Sequence, residues 1–156
     1  AKEAEPFIAT IDIEDAGFSE GGNMPDKIQA YCKRTKQKVP VTDGEIIRVL
    51  LESMAVQYTQ GIEIMEEARG KKADSIYLVG GGTQNLLLDQ FIAEASGKTV
   101  YCGMAEATAL GNMLAQLEGM KEITTEDKKK LIMKTFQMMP ERPKPGGEWL
   151  EYRLKG

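Results

Sequence analysis

The chain has 156 residues, 42% of them hydrophobic and 28% charged, which suits one soluble domain with its own core and excludes disorder throughout. Its net charge is −4 and its basic residues are dispersed, which argues against a nucleic-acid surface, and no apolar stretch approaches the length of a bilayer span. Histidine is absent and there are only two cysteines, so His-based catalysis, His metal ligands and a disulfide framework are all excluded within the chain.

The N-terminus, Ala1-Lys2-Glu3-Ala4-Glu5, lacks the apolar region of a signal peptide, and a cytoplasmic location is the simplest reading. Phe7 to Ile11 forms a short alternating piece, followed by turn-rich Glu14-Asp15-Ala16-Gly17. The carboxylates here, Asp12, Glu14, Asp15 and Asp26, read as solvated surface groups rather than catalysts. Asn23 can cap a first helix that has Pro25 in its opening turn and Ile28, Tyr31 and Cys32 on one face. A second start follows at Thr42-Asp43-Gly44-Glu45, which has capping-box spacing. From there Ile47, Leu51, Met54, Tyr58, Ile62 and Met65 recur at helical spacing, predicting the longest helix, ending at about Ala68.

The pattern then changes. Ser75-Ile76-Tyr77-Leu78-Val79 predicts a strand buried on both faces, ended by Gly80-Gly81-Gly82. Leu87, Phe91 and Ala95 mark the next helix, with Gly97 placed to end it. Thr99 to Cys102 predicts a second strand. A helix from about Ala105 is expected to bury Leu110, Met113, Leu114 and Leu117. The last helix begins near Thr124 or Thr125 and carries Leu131, Ile132 and Phe136; Lys128-Lys129-Lys130 reads as its solvated face. Methionines 54, 65, 113 and 133 sit at helical spacing and are expected in the core. Pro140 to Gly147 suits neither helix nor strand, so residues 140–156 are expected to form a C-terminal arm of the single domain, anchored by Trp149.

Strands alternating with helices predict an α/β fold with a parallel sheet. Two strands make that sheet narrow.

In such sheets ligands bind beyond the carboxyl ends of the strands. Gly80-Gly81-Gly82-Thr83-Gln84-Asn85 occupies that place. Glycines leave no side chain against a ligand, and the following helix presents unpaired N–H groups. Asn85 can cap that helix or bond a ligand. Taken alone, the stretch supports two readings equally, a nucleotide cradle or a plain strand-to-helix turn. A P-loop is excluded because no Gly-Lys-Ser/Thr follows, and the dinucleotide fingerprint fails because Asn85 stands where it needs glycine.

The run from Ile76 to Gln90 resembles the adenosine-binding segment of the FGGY carbohydrate kinases, in particular the branch acting on L-rhamnulose, where it reads VGGGxQNxLLNQ. Glu106-Ala107-Thr108-Ala109-Leu110-Gly111-Asn112 is similar to the family's next helix, E-A-x-x-L-G-N. Upstream, Gly22-Asn23-Met24-Pro25 with Ile28 to Cys32, and Val39-Pro40 with Asp43 to Ile46, also resemble that branch. The four blocks fall in the family's order. The resemblance implies part of an actin-like, ribonuclease H-like ATPase lobe with an incomplete sheet, whose first three strands would precede residue 1. It implies ATP/ADP with Mg²⁺ as cofactor of the complete enzyme, with Gly80, Gly81, Gly82 and Asn85 against the nucleotide. Gln84 is a feature of the branch without a derived role. Glu106 either caps its helix as a helix-start carboxylate, the favoured reading, or faces the cleft, and Gly111 is read as a close-packing residue. Catalytic base and sugar contacts belong to the preceding part, so no catalytic or metal-binding residue is assigned, and no turnover is expected from the chain alone. An exposed sheet edge predicts dimerisation or element exchange. Two alternatives stand: another sugar of the family (xylulose, fuculose or glycerol), or a non-catalytic interaction domain.

Overall fold

The computed structural model describes residues 1–135, 139–143 and Trp149. Among the described residues five α-helices, α1 (Met24–Arg34), α2 (Asp43–Arg69), α3 (Leu86–Ser96), α4 (Ala107–Gly119) and α5 (Thr125–Thr135), accompany three strands, β1 (Ser75–Val79), β2 (Thr99–Met104) and β3 (Met139–Glu141). The sheet order is β1-β2-β3. β1 and β2 run parallel, pairing Ser75 with Thr99 and Tyr77 with Tyr101, with an irregularity before Val79 meets Met104. β2 and β3 run antiparallel. The class is mixed α/β, as the alternation of strands and helices predicted. No described helix is long and apolar enough to cross a membrane.

The long helix α2 is the spine. Its start is the predicted capping box: Glu45 N–H donates to Thr42 Oγ1 (3.2 Å), and Thr42 N–H donates to Glu45 Oε2 (2.9 Å). Its end is Gly70 in the left-handed conformation, φ 63°. One cluster joins α2 to α3 and the sheet through Leu51, Ala55, Leu88, Phe91, Ile92 and Val100. A second joins α2 to α1 and the N-terminal segment through Ala9, Ile11, Ile28, Cys32, Ile46 and Val49. That segment forms no strand. Side chains take its backbone bonds instead: Gln37 both accepts from Thr10 N–H and donates to Thr10 C=O (2.8 Å each), Ser53 Oγ accepts from Ile11 N–H, and Glu52 from Phe7 N–H. Arg48 Nε donates to Glu52 (2.7 Å) while its Nη1 reaches the Lys2 and Ala4 carbonyls.

Several expectations fail for identifiable reasons. β1 is not buried on both faces: Tyr77 is 61% and Val79 58% exposed, because only the face carrying Ile76 and Leu78 meets the core. Met65 lies exposed, as do Ile47 and Tyr58, since α2 turns Ile46, Val49, Ser53 and Ala55 inward instead; Met113 is exposed on α4, which turns Leu114 inward. Met54 does pack against the core, whereas the Met133 side chain and Phe136 lie outside the described residues. Asn23 holds the N-cap position of α1, but its amide bonds Asp26 rather than the helix backbone. Gly111 has open space where a Cβ would stand, so close packing does not require it. Finally, Met139–Glu141 is a third strand despite Pro140, which is tolerated because β3 pairs with β2 alone, as an edge strand. Trp149 is buried, 4.7 Å from Phe7 and 5.6 Å from Phe91 between ring centroids; the remainder of 144–156 lies outside the described residues.

Candidate functional site

Parallel pairing of β1 with β2 brings both strand-to-helix turns to one end of the sheet. The first is the glycine turn. Gly80 takes φ 92°, a conformation that L side chains rarely adopt, and there the chain leaves the strand direction. Gly81 to Gln84 then form one turn of 3-10 helix. Thr83, buried, returns both its N–H (3.2 Å) and its Oγ1 (2.9 Å) to the Gly80 carbonyl. Asn85 N–H donates to Gly82 C=O (3.1 Å), and Asn85 Oδ1 accepts from Leu88 N–H (3.2 Å), capping α3. Of the two roles open to Asn85, capping is therefore filled by its oxygen, and the side-chain NH₂ remains for another partner.

Gly81 and Gly82 are exposed, and a Cβ on either would meet nothing within 4 Å. Their N–H groups donate to no backbone carbonyl among the described residues. Behind them stands the N-terminus of an eleven-residue helix, with its partial positive charge. The four residues singled out in the sequence thus fall on one open surface of polar backbone. Glu106 is at the N-cap position of α4, exposed and without a capping bond, in the neighbouring turn. Among the described residues no group of three or more acidic or cysteine side chains is placed to hold a metal ion.

Two buried carboxylates, one near the turn and one at the opposite end of the strands, are features that spacing did not disclose. Asp89, in the first turns of α3, is fully buried, and neither carboxylate oxygen has a hydrogen-bond partner in normal geometry among the described residues. Burial pushes its pKa up; the Cys102 thiol beside it offsets part of this, and Glu141 adds to it. Cys102 is in turn pushed up to about 11, by burial and then by Asp89. The one signal in the sequence was that Asp89 stands where the related pattern reads Asn. Glu66, near the end of α2, accepts from Lys98 Nζ (2.7 Å), Ala73 N–H (2.7 Å) and Lys72 Nζ (3.1 Å), tying α2 to the start of β1 and to the α3–β2 turn.

The arrangement is an open glycine turn between a strand and a helix N-terminus, in a mixed α/β domain of actin-like fold. Over residues 1–120 the sequence matches the C-terminal domain of the FGGY family of carbohydrate kinases, and the chain belongs to that family. It is 38% identical over 130 residues to a rhamnulokinase of Oceanobacillus iheyensis, which covers 83% of this chain and 28% of the relative. A rhamnulokinase of Bacillus subtilis is 36% identical over 145 residues, 92% of this chain and 30% of the relative. For a rhamnulokinase of Bacteroides thetaiotaomicron the figures are 33% over 150 residues, 96% and 31%. The chain therefore spans under a third of the length of these relatives.

Proposed function

We propose that this chain is the nucleotide-holding portion of a cytoplasmic sugar kinase that converts ATP and L-rhamnulose to ADP and L-rhamnulose 1-phosphate. Its rhamnulokinase relatives support the sugar. The observation that carries the nucleotide role is the open, side-chain-free backbone of Gly81 and Gly82 at the end of a core strand. Gly80 sets the turn, Gly81 and Gly82 offer N–H groups and clearance for a nucleoside, and Asn85 offers its free NH₂. ATP, with Mg²⁺, supplies the phosphoryl group when bound. The chain's own residues bind and orient, while the sugar contacts and the acceptor's base come from a second lobe closing on this one.

ADP titrated into the chain is expected to shift the amide resonances of residues 80–88 saturably, and Gly81→Val to abolish those shifts by filling the clearance. Saturable shifts that survive Gly81→Val would place any nucleotide elsewhere. Sugar-dependent ADP release is expected of the full-length protein and not of this chain, because one lobe cannot align the acceptor hydroxyl. Neither nucleic acid nor membrane figures among the proposed partners. A strand partner does: among the described residues β1 is bonded on one side only, with Tyr77 and Val79 exposed beside that edge.

A further inference from the structure

Consecutive glycines make a very loose backbone, and here a Cβ on any of the three would touch nothing. The turn is nevertheless held, at its far end by the Asn85 N–H on the Gly82 carbonyl and at its entry by Thr83. Thr83 is 6% exposed, whereas Gly81, Gly82, Gln84 and Asn85 around it are all exposed. Its hydroxyl donates to the Gly80 carbonyl at 2.9 Å, and its N–H reaches the same oxygen at 3.2 Å. Gly80 itself imposes no preference, since glycine enters positive φ freely. The two bonds from Thr83 are the hydrogen bonds described at the Gly80 carbonyl, where the chain takes φ 92° and ψ −176°. With the Gly80 oxygen held by two donors from Thr83, the peptide plane entering Gly81 is fixed, and the Gly81 and Gly82 N–H groups are left without backbone acceptors.

We infer that Thr83 is a positioning residue: its buried hydroxyl, without touching the nucleotide, latches the glycine turn in the form that presents the Gly81 and Gly82 backbone to a ligand. This rests on the reading of the turn as a nucleotide cradle. The physical advantage is preorganisation. A turn already ordered before binding loses less conformational entropy when the ligand arrives. The role requires a hydroxyl, so serine satisfies it. Valine, of nearly the same shape, does not, because it puts a methyl group against the carbonyl.

The test compares the wild-type chain with Thr83→Ser and Thr83→Val, using ADP as the probe. Three quantities are measured: ADP affinity from amide shifts, hydrogen exchange of the Gly81–Asn85 amides, and the thermal midpoint. Loss of one side-chain bond is expected to weaken ADP roughly threefold to tenfold in Thr83→Val and to speed exchange in the turn alone. Thr83→Ser is expected to restore both, with midpoints close to wild type throughout. Wild-type affinity and exchange in Thr83→Val would overturn the proposal. So would a large fall in midpoint with exchange accelerated across the whole chain, which would make Thr83 an ordinary core residue. If ADP leaves residues 80–88 of the wild type unmoved, the cradle reading fails, and exchange still decides the latch: turn-specific acceleration cured by serine supports it, and no acceleration sinks it.

Discussion

Asp89 and Glu66 are both carboxylic acids buried on helices, and their surroundings drive them in opposite directions. Glu66 accepts two ammonium donors and one backbone N–H, and the Lys98 bond above all holds its pKa down at about 2. A carboxyl lowered on folding stabilises the protein above its unfolded value of 4.5, and that contribution disappears as pH falls towards about 2. Glu66→Gln is therefore expected to lower the thermal midpoint by several degrees at pH 7 and by progressively less towards pH 3. An equal loss at both pH values would refute the ionic origin. The burial of Asp89 is offset only in part, by the Cys102 thiol, and its raised pKa means that its contribution to stability is fully present below 3.8 and is lost as pH rises through the folded value. Asp89→Asn removes the need to bury a charge. It is expected to raise the midpoint by a few degrees at pH 7 and to move the pH of maximum stability upward, both readable by calorimetry. Destabilisation by Asp89→Asn at pH 4 and pH 7 alike would show that the carboxyl has a partner specific to its shape.

At the scale of elements, α2 depends on its ends and on what it straps down. The reciprocal bonds of Thr42 and Glu45 satisfy donors that a helix start would otherwise leave open. Thr42→Ala is expected to cost about 1 kcal/mol, measurable as a fall in urea midpoint at unchanged slope. An unchanged midpoint would mean that packing alone sets the start of the helix. The Arg48–Glu52 pair on the same helix is almost wholly buried, with side chains 5% and 2% exposed. Its bonds to the Lys2 and Ala4 carbonyls and to Phe7 N–H hold the N-terminal segment across α2. The Arg48 guanidinium also lies 5.4 Å from the centre of the Phe91 ring, and Phe91 packs on Trp149. The two ends of the described chain thus meet on α3. Helix caps of this kind are legible from spacing because they are local. The Arg48 strap was not, because its partners lie more than 40 residues away.

For the molecule as a whole, the consequential feature is a sheet that, among the described residues, is covered on one side and open on the other. Tyr77 and Tyr101, paired across β1 and β2, stack 5.1 Å apart with Tyr77 largely in solvent. An open parallel edge flanked by exposed aromatic and β-branched residues favours pairing with another strand. Light scattering coupled to size exclusion is expected to show concentration-dependent association of the chain, and Tyr77→Lys to shift it towards monomer. A wild-type monomer at all concentrations would count against strand pairing at this edge. The same openness explains why the burial expected of β1 failed: an apolar run of five residues signals a strand, but not which of its faces is covered.

Some of this protein was determined by local sequence alone. Helix starts at Thr42 and Asn85, the stops at Gly70 and Gly97, and the strand-turn-helix around Gly80 follow from backbone preferences and short-range hydrogen bonds, which depend on residues within a few positions of one another. Only the tertiary structure decided which stripe of α2 is buried, that Pro140 lies in an edge strand, that Asp89 is sealed beside Cys102, and that Glu66 is clamped by Lys98. Each of these depends on groups distant in sequence being brought together, and neither periodicity nor spacing carries information about the far partner.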